Sequence, residues 1–373
     1  MSRIKVGIIG YGGSAKVYHL PFILSVPELE LHACLQRAEA PPPTPGSDIP
    51  RGQHCTVDFP DVRHYRTAET FFADEEIELV VICTGPATHA ELALQAISAG
   101  KNVVVEKPFT CTSAEADEVI EAAKKKGVIL TVYQNRRYDS DFLALQDVID
   151  RGHLGTISEA EFHHDLPFPA MLTKMTSPDR RPGMGMAYTA GSHSIDQALS
   201  LFGRPRGVTA FYRSLRGIRS DEEDSFTITL SYDSPLLVHI KTNAQTMMDR
   251  PLTYFIRGSA GAFVKLGGDV QIKQIREKGM GPGDEGFGEE PEDVWGELTT
   301  VERVREGQVG RGGFWVGKVP SGKDGYRKYY RDLVETLRGR RKLAIDPVLS
   351  RDGIRVIELA TQSAKEGRTV QFA

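Results

Sequence analysis

The chain is poor in cysteine, with 4 among 373 residues. Cys34, Cys55, Cys83 and Cys111 form no C-x-x-C pair and lack the density of a disulfide framework, so they read as packing residues in a reducing compartment. Long apolar runs are also missing: none approaches the ~20 residues of a membrane-spanning helix. Neither sign of charge dominates, since 46 basic residues face 50 acidic ones and the formal net charge is −4. The two signs are interspersed, which removes the electrostatic footprint expected of a nucleic-acid or anionic-membrane binder. A strand-like run starts almost at the first residue, leaving no stretch that reads as a signal or transit peptide, and a cytoplasmic location is expected. No internal repeat stands out, and the length favours two domains over one core.

What is present begins with the first fifteen residues. Ile4-Lys5-Val6-Gly7-Ile8-Ile9 is a β-branched apolar run of strand length, and Gly10-Tyr11-Gly12-Gly13-Ser14-Ala15 follows it as G-x-G-x-x-A. In a dinucleotide-binding βαβ unit the first glycine permits a tight turn and the second lets the backbone approach a pyrophosphate. The small third residue lets the next helix pack on the strand. Gly10, Gly12, Gly13, Ser14 and Ala15 are therefore cofactor candidates, with backbone N–H groups and the helix dipole facing the phosphates.

Residues 16–24 read as one short helix carrying Pro21, and residues 29–35 alternate toward a second strand. The end of that strand faces the adenosine ribose in this fold. An NAD-preferring site places Asp or Glu there, whereas this chain has Gln36-Arg37, so Arg37 is expected to hold a 2′-phosphate and NADP is favoured over NAD. Residues 40–60 are proline-rich and read as a surface loop. Residues 78–83 form a buried strand whose carboxyl end carries Thr84 and, at the following helix start, His89, both on the cofactor side. Residues 102–105 form the next strand, with Glu106-Lys107-Pro108 at its end. Thr112 and Glu115 make a capping box for a helix ending at Gly127, and residues 128–133 close the region.

The strand and helix alternation predicts a doubly wound parallel Rossmann sheet over residues 1–133. Residues 134–373 read differently, as a second α/β domain. A helix over 141–151 precedes alternating segments at 155–163, 206–213, 224–232, 236–243, 252–257 and 262–266, which predict an open, mainly antiparallel sheet. The glycine- and charge-rich stretch 278–323, with Trp295 and Trp315, reads as a long loop, and two amphipathic helices end the chain.

With Glu106-Lys107-Pro108 placed after the glycine turn, the chain resembles the Gfo/Idh/MocA family of nicotinamide-dependent oxidoreductases over essentially its whole length. The resemblance rests also on Cys83-Thr84 leading to His89, on Asn135-Arg136-Arg137 and on Gly191-Ser192-His193-Ser194-Ile195-Asp196. It implies a sugar or polyol secondary alcohol, or the matching carbonyl, as substrate, and a homodimer or homotetramer built through the C-terminal sheet. It further implies that Lys107 is the proton shuttle, that Glu106 lies near the nicotinamide ribose, that Asn135 belongs to the cofactor side, and that His193 assists proton transfer or orients substrate. The family motif carries Asp four residues before this histidine, and here Thr189 stands there.

The chemistry fits Lys107 on its own terms. Oxidising an alcohol sends a hydride to nicotinamide and a proton to a base. Desolvation in a cleft and the positive nicotinamide ring both favour a neutral amine able to accept it. Thr189, Arg181 and Asp196 are substrate-side candidates. Asp196 could also hold the tautomer of His193 or face solvent. No metal is expected, because His163 and His164 are adjacent on a strand and point to opposite faces. Two other readings share the fold: a catalytically silent NAD(P)-binding regulator, which the Thr189 departure would suit, and a reductase of non-sugar carbonyls.

Overall fold

The computed structural model describes residues 2–41, 50–322 and 325–372. Its contacts divide the chain into two units: Met1–Gln134 with Gly279–Glu285 and Tyr326–Arg351, and Asn135–Lys278 with Gly286–Gly325 and Asp352–Ala373.

In the first unit, strands β1 (Ile4–Ile9), β2 (Leu29–Leu35), β3 (Arg63–Tyr65), β4 (Leu79–Ile82), β5 (Asn102–Val105) and β6 (Leu130–Val132) form one sheet in the order β3-β2-β1-β4-β5-β6. Every pair is parallel. Both faces of such a sheet are covered, which is why β4 and β5 read as unbroken Val/Ile/Leu runs. Ile82, Val103 and Val105 join Phe109, Ala116 and Val119 in the main core. Helices α1 (Leu20–Leu24), α2 (Cys55–Asp58), α3 (Ala68–Phe72), α4 (His89–Ser98) and α5 (Ser113–Lys126) connect the strands. The capping box of α5 forms, with Glu115 N–H donating to Thr112 Oγ1 at 3.2 Å, and Gly127 ends the helix at φ 74°. Strand order reverses between β1 and β4, and the carboxyl ends of those strands are where this architecture holds its ligand.

Three expectations need revision here. Residues 16–24 are not one helix: a π-helical turn, Ala15–His19, precedes α1 and turns His19 fully into the interior. Pro21 then falls in the first turn of α1, where its missing N–H costs nothing. Within the proline-rich stretch 40–60, residues 42–49 lie outside the described residues, while His54 N-caps α2 through its ring. Finally, the chain returns to the first unit after leaving it, whereas the sequence suggested one cut after residue 133. Thr131 Oγ1 donates to the Ile345 carbonyl at 2.9 Å, and the Tyr329 hydroxyl donates to the Val132 carbonyl at 3.3 Å. An amphipathic pattern marks a buried face without saying which sheet buries it.

The second unit holds α6 (Ser140–Asp150), β7 (Ile157–His163), α7 (Ser192–Phe202), β8 (Gly207–Arg213), β9 (Ser225–Ser231), β10 (Leu237–Asn243), β11 (Leu252–Gly258), β12 (Gly261–Leu266), α8 (Val270–Lys278), β13 (Gly296–Thr300), β14 (Val309–Arg311) and β15 (Phe314–Val319). After α9 (Arg327–Leu337) and α10 (Pro347–Glu366), β16 (Val370–Gln371) completes a ten-stranded sheet. Its order is β14-β15-β13-β12-β11-β7-β10-β9-β8-β16. Only the β7/β10 pair is parallel, so the sheet is mixed and mostly antiparallel. The stretch expected to be a loop supplies β13, β14 and β15. Its glycines hid the period of two, yet Gly296 is what lets β13 pair, since a Cβ there would sit 2.2 Å from the Phe263 ring. Helix α7 packs one face on the sheet through the Phe162 and Phe202 rings. No helix among the described residues is long and apolar enough to cross a membrane.

Candidate active site

At the carboxyl edge of the parallel sheet a cleft of about 710 Å³ opens among Gly10-Tyr11, Gln36-Arg37, Arg66-Thr67 and Thr84-Gly85. Gly10 has φ 93°, and a Cβ on it would lie 2.9 Å from the Cys83 carbonyl oxygen, so only glycine makes this turn without strain. A Cβ on Gly12 or Gly13 would meet nothing within 4 Å. Their glycines leave backbone bare over open space, which suits close approach of a phosphate. Ala15 is fully buried, as a tight helix-on-strand contact requires. The residues present therefore fit a dinucleotide.

Arg37 lies exposed at the rim, and a second guanidinium that sequence reasoning overlooked joins it. Arg66 follows β3, donates through Nε to the Arg37 carbonyl at 3.2 Å and pairs with Glu39 at 2.7 Å. Glu39 thus has its charge engaged by Arg66. Thr84 lines the cleft and accepts a hydrogen bond from the Thr88 hydroxyl at 2.7 Å. His89 serves as a brace: one ring nitrogen faces the Pro108 carbonyl at 2.9 Å and the other the Thr84 carbonyl at 3.1 Å. It ties the turn after β4 to the turn after β5, where Lys107 and Pro108 are joined by a cis peptide.

Glu106 is the centre of a buried polar knot. Its carboxylate accepts from the Ser14 hydroxyl, from His19 Nε2 at 3.1 Å and from the Lys107 backbone N–H at 2.8 Å. The other ring nitrogen of His19 accepts from the Tyr330 hydroxyl at 2.5 Å, and the Tyr133 ring lies against His19 at 4.0 Å. Burial alone would push this carboxyl up. The hydrogen bond and charge of His19, the charge of Lys107 and the Ser14 hydroxyl outweigh it and hold Glu106 at about 2. Ser14, Glu106 and Lys107 are thus one network, and His19 and Tyr330 are members that no local pattern announced. Lys107 itself is half-buried at the end of β5.

In the second unit, His193 begins α7, is 8% exposed, and stacks on His164 with ring centroids 6.1 Å apart. His163 turns elsewhere and bonds Glu161 at 2.9 Å, in keeping with opposite faces of one strand. Thr189 donates its hydroxyl to the Gly185 carbonyl at 2.9 Å inside a π-helical turn, Ala187–Gly191. Asp196 neither faces solvent nor appears as a tautomer anchor. It is buried and takes a bidentate pair from Arg137, both contacts at 2.6 Å. Arg181 donates to the buried Glu222 at 2.7 Å, and neighbouring Arg180 ion-pairs with Glu223, so both guanidiniums are engaged within the unit. Asn135 is buried in a single 3-10 turn, Asn135–Tyr138.

Asp141, which sequence reasoning passed over, is 1% exposed, and neither carboxylate oxygen has a hydrogen-bond partner among the described residues. It lines a 190 Å³ cavity with Arg136, His163 and His164. Burial, opposed by Lys265 and reinforced by Asp269 and Glu290, pushes it up to about 7.

Sheet order, glycine turn and cleft together define a nicotinamide-dinucleotide-binding oxidoreductase fold. The chain belongs to the Gfo/Idh/MocA family: the oxidoreductase family, NAD-binding Rossmann fold, matches residues 4–134, and the GFO/IDH/MocA C-terminal domain matches residues 142–264. It is an oxidoreductase of that family with an NAD(P)-binding Rossmann domain. An uncharacterized oxidoreductase of Schizosaccharomyces pombe, C115.03, is 34% identical over the whole of both chains. The scyllo-inositol 2-dehydrogenase (NADP(+)) IolW of Bacillus subtilis is 33% identical over 100% of this chain and 97% of its own. The solved structure of the oxidoreductase yvaA from Bacillus subtilis superposes over both chains in full with a TM-score of 0.85 at 32% identity. GenD2 from gentamicin A biosynthesis, solved in complex with NAD, shares the fold at 22% identity and a TM-score of 0.73.

Proposed function

We propose that this protein interconverts a secondary alcohol and the corresponding carbonyl of a polyol or sugar, using NADP(H), with Lys107 as the proton shuttle. The observation that carries the reading is the Glu106 knot: an ionised, buried carboxylate adjoins Lys107 and holds its backbone N–H at 2.8 Å. A negative charge so placed stabilises the ammonium that forms when the Lys107 amine takes the hydroxyl proton; in reduction that ammonium gives the proton to the alkoxide formed by hydride delivery. Bound nicotinamide supplies the hydride acceptor or donor. His193 hydrogen-bonds and orients the reacting hydroxyl. With Thr189 in place of the family carboxylate, no anion from that position balances a charged imidazole.

The NADP preference is supported by Arg37 and Arg66 at the rim beyond β2, where a guanidinium matches a phosphate, and by the NADP(+) in the name of the IolW relative. That name also supports a cyclic polyol as substrate. We assign Gly10, Gly12, Gly13, Ser14, Ala15 and Thr84 to the dinucleotide, His89 to bracing its loop, Asn135 to the cofactor side, and Thr189, Arg181 and Asp196 to the substrate side. On the same reading residues 1–133 serve the cofactor, and residues 134–373, apart from Gly279–Glu285 and Tyr326–Arg351, which belong to the first unit, serve substrate and assembly. Assembly into a homodimer or homotetramer is assigned to the ten-stranded sheet, and four buried thiols suit a reducing cytoplasm.

Steady-state turnover of NADP(H) and NAD(H) against a panel of inositols, aldoses, polyols and non-sugar carbonyls tests this. Turnover with a polyol or sugar and a preference for NADP are expected. Tight cofactor binding with no turnover on any member would identify a regulator instead.

A further inference from the structure

We infer that His54, Cys55 and His64 form a binding site for one zinc-class divalent ion, beside the dinucleotide cleft and separate from the proton-transfer chemistry. No metal-ligand spacing exists in the sequence; folding makes the cluster. Strands β2 and β3 pair with Cys34 opposite His64, and α2 brings His54 and Cys55 against that edge. One ring nitrogen from each histidine and the Cys55 sulfur all lie within 4.8 Å of one another. Tetrahedral zinc, with bonds of about 2.1 Å to nitrogen and about 2.3 Å to sulfur, spaces its ligand atoms by roughly 3.4–3.8 Å. Closing the cluster onto an ion therefore takes a movement of about 1 Å.

The surroundings prepare the ligands. His64 donates from Nε2 to the Gln36 carbonyl at 2.8 Å, which fixes the tautomer and leaves the Nδ1 lone pair available. A backbone carbonyl in that role is the usual outer partner of a metal-bound histidine. His54 accepts the Thr56 N–H at Nδ1 across 3.3 Å, and its Nε2 lies 3.4 Å from the Ala38 carbonyl; binding an ion through Nε2 moves the ring proton to Nδ1, where Thr56 Oγ1 at 2.8 Å accepts it. Its ring meets that of His64 edge to face at 4.7 Å. Cys55 is fully buried and His64 is half-exposed, so the ion enters from the His64 side.

Two imidazoles and one thiolate favour Zn²⁺ or Co²⁺ over Mg²⁺ and Ca²⁺, which require oxygen. On binding, Cys55 releases its proton to solvent, and water takes the fourth position. A second group of potential ligands, His32, Asp74 and Glu76, offers a useful contrast. Its carboxylates are already neutralised by Arg63 and Lys5. Among the described residues neither His54 nor His64 is held by a carboxylate. The ion's neighbour is Gln36, whose side chain accepts from the Cys55 N–H at 2.9 Å and which also lines the dinucleotide cleft. Metal loading fixes the end of β2 where Arg37 begins.

The test is a Co²⁺ titration of the untagged, full-length, chelator-treated protein, followed by displacement with Zn²⁺. One Co²⁺ per chain is expected, with a near-ultraviolet thiolate-to-cobalt absorption that Zn²⁺ abolishes. Cys55→Ser should lose that absorption, and His64→Gln should weaken affinity at least ~10-fold. Circular dichroism of the metal-free variants checks that they fold. A wild-type titration without the thiolate band overturns the proposal with no variant required. So does a band that survives Cys55→Ser, or unchanged affinity in His64→Gln.

Discussion

His19 Nε2 donates to Glu106 Oε1 across 3.1 Å, joining the π-helical turn that follows the glycine loop to the strand end that bears Lys107. With the Tyr330 hydroxyl at 2.5 Å on the other ring nitrogen, the imidazole has a partner on both sides. Removing it leaves an ionised carboxylate buried with fewer partners. His19→Ala should lower stability by about 3 kcal/mol, and Tyr330→Phe by about 1 kcal/mol, measured by urea unfolding at pH 7. Equal, negligible effects of the two would show that the chain of bonds does not hold the site.

The same carboxylate sets an acid dependence. Glu106 is depressed from 4.5 to about 2 in the fold, so its stabilising effect is complete above the unfolded value and disappears as pH falls through the folded one. The effect is on the order of 3 kcal/mol. Wild-type unfolding free energy should fall between about pH 4.5 and about pH 2 more steeply than that of Glu106→Gln, which lacks the titrating group. Parallel acid limbs in the two proteins would contradict the assignment.

Asp141 titrates in the opposite sense. Its folded value is raised to about 7 by burial, so the contribution of Asp141 to stability is complete below the ordinary carboxyl value and is lost as pH rises toward 7. The loss is on the order of a few kcal/mol. Asp141→Asn should keep the shape, remove the charge and abolish this loss between about pH 4 and about pH 7, the span from the ordinary to the raised value. Thermal or urea midpoints across that range decide it. A variant less stable than wild type at pH 8 would mean that Asp141 is held by a favourable charge interaction instead.

Lys107→Ala should retain dinucleotide affinity within about threefold while kcat falls by ~10² or more. Fluorescence titration with NADPH and single-substrate kinetics on whichever alcohol or carbonyl is turned over give the two numbers. An unchanged kcat removes Lys107 from proton transfer.

Arg37→Ala and Arg66→Ala should each weaken NADP binding by about 10-fold or more and NAD binding far less, because a charge-assisted contact to a phosphate contributes roughly 1.5–3 kcal/mol. Equal losses for the two dinucleotides would show that these guanidiniums serve the loop and not the 2′-phosphate.

The sequence by itself determined the features that are local. The strand leading into Gly10, the capping box at Thr112, and the alternation from β7 through β12 are written in periods of two or about four residues and in single glycine or cap positions. Glu106-Lys107-Pro108 and His193 were likewise legible as contiguous motifs. Tertiary structure alone decided which distant side chains meet. His19 reaches Glu106 only because five residues wind as a π turn, and Tyr330 reaches His19 from more than three hundred residues away. Asp196 is claimed by Arg137, Arg66 arrives beside Arg37, and His54, Cys55 and His64 converge through strand pairing. These contacts have no period and no fixed spacing, since they are set by where packed elements cross, and a one-dimensional pattern carries no record of that.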